Sequence, residues 1–223
     1  MNLNKIALYP CLFLSIVCLT VLFSCQDRLD SKRYEPIIKQ ATKAESVTLN
    51  AEKDTAILRL SYKTAPAISS DFLTSITAIT YIDTAASIIS KEKIGHVKVE
   101  IASPNGVEVF SYPLTDLNNG KIGFENTAKF LQNMLNNQGQ ANLGLVDTSK
   151  ISTASLADLN TLNTQIQSSM KIENISYDGF ISHDEEPEVI EIRAQLISKT
   201  ETLPVVFQYN TQSQKIFYFG INE

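Results

Sequence analysis

The 223-residue chain has no Trp, two His, three Cys, eight Gly and seven Pro, and its 19 bases are outnumbered by 24 acids. Each shortage excludes something. Three Cys are too few for a disulfide scaffold. So little Gly and Pro excludes collagen-like and low-complexity material. Two His cannot build a histidine-rich metal site, and any Ser-His-Asp triad would have to run through His96 or His183. A net charge of −5 supplies no basic surface to displace counterions from phosphate, so nucleic acid is not a partner. With 43% hydrophobic residues the chain is not disordered either. The GxSxG elbow, the P-loop, GxGxxG, HExxH and the EF-hand loop are all missing from the sequence. No catalytic residue and no cofactor is indicated.

What is present begins at the front. Lys5 is the only charge in residues 1–24, and Ile6 to Phe23 is an apolar run broken by Pro10. One cation followed by an apolar core is the physical form of an export signal. An uncleaved anchor helix is the competing reading, since about 17–25 residues cross a bilayer. The end of the run, Leu22-Phe23-Ser24-Cys25, decides between them. It resembles the lipobox of bacterial lipoproteins, in which the Cys is acylated, the signal is cut just before it and the lipid holds the protein to a membrane. Phe23 departs from the small residue usual at that position. The resemblance implies a signal peptide at 1–24, a lipid on Cys25 and a location in the bacterial cell envelope, at the outer membrane, on its periplasmic or surface face.

Cysteine usage agrees with this expectation. Cys11 and Cys18 lie in the segment that would be removed, so Cys25 is the single cysteine left and the lipid would occupy it. Removing residues 1–24 takes away one base and no acid, which leaves −6. Residues 25–34 are polar and charge-mixed and read as a tether, and 35–223 as the folded domain.

The spacing in that domain predicts a short helix over Glu35–Ala44 and strands over Val47–Asn50 and Thr55–Lys63. A helix follows from Ser69-Ser70-Asp71, as N-cap, to about Ser90. Val97, Val99 and Ile101 alternate with polar residues, and Pro104-Asn105-Gly106 turns the chain into Val107, Val109 and Ser111 as a hairpin. Helices are expected over Asn126–Asn136 and Thr153–Ser169, with a polar stretch near 137–151 as a possible internal boundary. Strands are expected at 171–181, 188–198, 203–209 and 215–221. No βαβ alternation points to a parallel pair. The fold class is α+β: an antiparallel sheet ending in a four-stranded meander and packed by segregated helices. In element order the second part is similar to the NTF2-like cone fold, where a curved sheet wraps a helix around a pocket.

His183-Asp184-Glu185-Glu186-Pro187-Glu188 is the one concentrated polar cluster. Asp184, Glu185 and Glu186 are the candidate ligands for a hard cation. Adjacent side chains diverge, however, and a charged connection between two strands is expected there, so no metal is expected. Tyr177, Tyr209 and Tyr218 either line a pocket or belong to a core. The expected function is that of a non-catalytic binding or accessory module on the envelope. It would be attached to the membrane through the N-terminal lipid and would face a protein or small-molecule partner. The alternatives are a ligand-binding or enzymatic domain with an NTF2-like pocket, and an immunity-type protein that binds a toxin. A filled core with an exposed apolar patch would favour a protein partner.

Overall fold

Alternating strand residues and one glycine-bearing helix set the architecture. A computed structural model of the chain describes residues 31–136, 138–151, 164, 171–183 and 185–221. The order is α1 (Ser31–Thr42), β1 (Ser46–Glu52), β2 (Thr55–Ser61), α2 (Ser70–Glu92), β3 (His96–Ser103), β4 (Gly106–Pro113) and α3 (Leu114–Leu135). A 3-10 helix (Gly139–Gly144) follows, then β5 (Asn174–His183), β6 (Glu186–Ile197), β7 (Thr202–Asn210) and β8 (Lys215–Ile221). This is the expected α+β class, with the C-terminal meander in place. The export segment, Cys25 and the first part of the tether lie outside the described residues, as does nearly all of the helix expected over Thr153–Ser169.

The strands make two four-stranded sheets, β1-β2-β3-β4 and β5-β6-β7-β8. The second is antiparallel throughout. The first is not: β2 and β3 run parallel, pairing Ala56 with Val97 and Leu60 with Ile101. That corrects the expectation of antiparallel strands only. The physical reason is α2, a helical crossover that carries the chain from the end of β2 back to the end where β2 began, so the next strand runs the same way.

In the first sheet Ala56, Leu58, Leu60, Val97, Val99 and Ile101 are buried on one face. The other face carries Arg59, Lys98 and Glu100. Two helices serve the buried face. α1 begins a turn ahead of the expected Glu35, because Tyr34 is buried along with Ile38 and Thr42 and draws the first turn into the fold. α2 is the one described helix long and apolar enough to cross a membrane, yet most of it is buried in this fold. Its hydroxyls turn inward without cost because they bond back to its own carbonyls: Thr74 to Asp71, Ser75 to Phe72 and Thr77 to Leu73. Thr84 bonds to the carbonyls of both Thr80 and Tyr81 beside Ala85, whose non-helical φ of −114° marks a kink. Ser69 occupies the N-cap position as expected but makes no side-chain cap bond.

The second sheet holds α3 on one face. α3 starts at Leu114, twelve residues ahead of the expected Asn126, and its early half contains Gly120 and Gly123. Glycines argue against a helix by propensity; here close packing requires them. A Cβ on Gly120 would come within 2.3 Å of the Phe180 ring, and one on Gly123 within 2.8 Å of Ile192. An aromatic core fills the remaining space. The Phe130 ring meets Phe207 edge-on at 5.8 Å and Phe219 at 5.6 Å, while Phe124 stacks on Tyr177 at 5.0 Å.

Strand β5 joins the two halves. A bulge between Tyr177 and Gly179 puts Gly179 at φ +129° and presses it against α2, where a Cβ would lie 2.1 Å from the Phe72 carbonyl oxygen. The next residue, Phe180, donates its backbone N–H to Ser75 Oγ at 2.7 Å and turns its ring toward α3. Arg193 on β6 lies 4.3 Å from the Phe72 ring centre. The polar stretch after α3 is also tied in. Buried Asn142 donates to the Phe130 carbonyl and accepts from Asn133.

Candidate functional site

The hairpin that carries the acidic cluster joins β5 to β6. Glu185 and Glu186 are exposed, and Asp184 lies outside the described residues. Among the described residues no three His, Cys, Asp or Glu side chains are placed to hold a metal ion. His183 is half-buried and lines an open cleft of about 300 Å³ with Asp116 and Asn119 of α3, Ser182, Ile190 and Thr211. Thr211 is fixed there by bonds from its N–H and hydroxyl to the Glu188 carbonyl. His96 is exposed at the start of β3.

The three tyrosines go to three different places. Tyr209 is fully buried, and its hydroxyl accepts a bond from Asn126 at 3.0 Å. Tyr218 is 48% exposed. Tyr177 lines a shallow cleft of about 320 Å³ with Gln132 and Leu135 of α3 and with Ile175. Its hydroxyl is buried with no hydrogen-bond partner among the described residues. Burial pushes that phenol up to about 12. The three tyrosines therefore do not converge on one void; the packing between α3 and the sheet is made by Phe124, Phe130, Phe207 and Phe219 with Tyr177.

A different feature emerges from the hydrogen bonds of the sheet edges. An edge strand presents unpaired N–H and C=O groups, and chains usually cover them. On β1, the Leu49 N–H is taken by the Glu35 carboxylate of α1 at 3.2 Å. On β5, the Phe180 N–H is taken by Ser75. On β8, residues 145–147 lie alongside Ile216, with Ile216 N–H to Leu145 O at 2.9 Å and Asp147 N–H to Ile216 O at 2.8 Å. Among the described residues β4 has no such cover.

The phase of the β3/β4 ladder shows which groups are open. Leu114 donates its N–H to Gly95 O at 2.9 Å, one step beyond the His96/Pro113 pair. Counting back, Glu108, Phe110 and Tyr112 exchange bonds with β3, while Val107, Val109 and Ser111 direct N–H and C=O outward. The side chains at these outward positions are apolar and in water: Val107 is 66% exposed and Val109 51%. They lie opposite Ala102 and Glu100, on the face of the first sheet that carries Arg59, Lys98 and Glu100. Beside them Glu100 bonds Lys98 at 2.9 Å and pairs with Arg59, and these two cations, Lys98 first, hold its carboxyl below the usual range. Side-chain bonds hold the inner face of β4: Ser70 donates to Glu108, and Tyr112 shares a 2.6 Å bond with Thr74. β4 is thus anchored on one side, and among the described residues its outward backbone groups are left without partners.

No protein-family model, curated protein or solved structure matches this chain.

Proposed function

We propose that this protein is a lipoprotein of the bacterial cell envelope, held at the outer membrane by lipid on Cys25. Its domain is a non-catalytic binding module that takes a strand of another polypeptide along β4. The observation that carries the binding role is the β4 edge, which has Val107 and Val109 in water and no cover among the described residues, whereas each of the other three sheet edges has at least one backbone N–H bonded from within the fold. Backbone groups supply affinity in strand addition, and the alternate side chains supply selectivity. The anchor is supported by the lipobox-like Leu22-Phe23-Ser24-Cys25 and by the absence of Cys after position 25. An immunity-type role would be one case of this reading, with a basic toxin as the partner.

A photocrosslinking residue at Val109, with a control at Thr48 on β1, tests the binding role in intact cells. The expected result is a discrete adduct with a second polypeptide from position 109 and none from 48, lost on Val107→Lys. Equal labelling from both positions would sink the proposal. Cys25→Ser tests the anchor separately: loss of the acyl mass and release from the membrane are expected, and unchanged membrane partition would favour an uncleaved anchor helix. The His183 cleft supports a second reading, a small-ligand module, because Asp116, Asn119 and His183 bring three polar side chains to one opening.

A further inference from the structure

Charge is distributed unevenly along the chain. Residues 31–43 hold four bases, Lys32, Arg33, Lys39 and Lys43, against the single acid Glu35. The 180 residues after them hold 13 bases against 21 acids. The fold gathers the four cations onto one side. In α1, Tyr34, Ile38 and Thr42 are buried, and at about 100° per residue the opposite side carries Lys32, Arg33 and Lys39, with Lys43 just past the helix end. All four are exposed, and Ile37 stands beside them at 42% exposure. Glu35 is turned away, its carboxylate engaged by the Leu49 N–H. None of the four cations meets a carboxylate among the described residues, whereas Arg59, Lys63, Lys98, Lys121, Arg193 and Lys199 do.

Helix stability does not explain the arrangement. The first turn of α1 contains no acid and two cations, the unfavourable sign for the positive end of a helix dipole. We infer that the outward face of α1 lies against the anionic headgroups of the membrane that carries the protein, with Ile37 at the lipid boundary. The inference rests on the anchored reading above, since Cys25 is six residues before Ser31 and an extended chain of that length reaches about 20 Å at most. Anionic lipid attracts this face and repels the acidic remainder, which turns the domain so that α1 faces the bilayer. Basic segments next to an anchor gain roughly fivefold in binding per cation at such a surface, and the attraction fades within a Debye length.

The test uses the protein purified from membranes with its own N-terminus and reconstituted on vesicles. With Cys25 acylated, Ile37→Cys creates the single free thiol for a fluorophore, and Val109→Cys serves as the comparison position. Lipids with spin-labelled headgroups then report proximity. On vesicles containing phosphatidylglycerol, quenching at 37 is expected to exceed that at 109 by about threefold or more. The difference should collapse in about 0.5 M salt. It should also collapse on phosphatidylcholine alone, and in Lys32→Glu/Arg33→Glu/Lys39→Glu with an unchanged thermal midpoint. Equal quenching at the two positions in a protein that floats with the vesicles would overturn the inference and leave the anchor standing. An unmodified Cys25 in the mass spectrum, with no flotation, would remove the ground for both.

Discussion

The two sheets are stabilised in different ways. In the first, α1 and α2 cover one face of an aliphatic layer, the other face is mostly polar apart from buried Ile57, and among the described residues the β4 edge is left to water. In the second, α3 lies close on an aromatic layer, and β5 has α3 on one side and the first turns of α2 on the other. The close approach of α3 is what Gly120 and Gly123 permit, and it leaves little room for a ligand among the aromatics. The comparison teaches where recognition can reside. The second sheet spends its aromatic surface on its own core, while the first keeps two valines and a row of backbone groups exposed.

Three changes would break or sharpen that contrast. The largest effect is expected from Phe130→Ala, which empties the centre of the aromatic layer and should cost about 3–5 kcal/mol in urea unfolding. The transition should remain single, because β5 ties the second sheet to α2; a two-step curve would mean that the sheets unfold independently. Gly179→Ala attacks the tie itself. It places a side chain at φ +129° and against the Phe72 carbonyl, so about 3 kcal/mol should be lost, and a variant of unchanged stability would show that the bulge is not held by α2. The smallest effect is at Tyr177. Its phenol is raised from 10.0 to about 12 in the folded protein, so it favours folding while neutral. That contribution is fully present below pH 10 and is lost as pH rises toward about 12. Tyr177→Phe should therefore show a shallower alkaline loss of stability, and at neutral pH a change from zero to about 1 kcal/mol in its favour, because the hydroxyl it removes is unpaired. An alkaline limb identical to that of the parent would contradict this.

Much of this architecture is legible in the residues. Period-two alternation at Leu58-Leu60 and Val97-Val99-Ile101 marks strands with one buried face, and the four C-terminal runs mark the meander. What escaped a reading of local pattern depends on distant partners. The start of α3 is hidden because Gly120 and Gly123 answer to Phe180 and Ile192, far along the chain. The parallel pair is hidden because direction is set by a crossover, not by any strand's composition. The candidate site was within reach. A two-residue turn at Pro104-Asn105 pairs Ser103 with Gly106, and counting outward sets Val107 against Ala102 and Val109 against Glu100. Two apolar residues in register with a polar face were the signal, and alternation alone conceals it by marking them as buried. The polar cluster at 183–188 stands out by density instead; Glu185 and Glu186 are exposed, and Asp184 lies outside the described residues.

The bond from the Phe180 N–H to Ser75 Oγ spans 105 positions in the sequence. A contact that distant has a consequence in time. However the chain emerges into its compartment, α2 exists for more than a hundred residues before the strand that secures its first turns. Until β5 is in place, the first turns of α2 lack this bond and the close approach of Gly179 to Phe72. Native contacts of such separation slow folding. The interval is the period in which the molecule is most exposed to wrong pairings and to proteases.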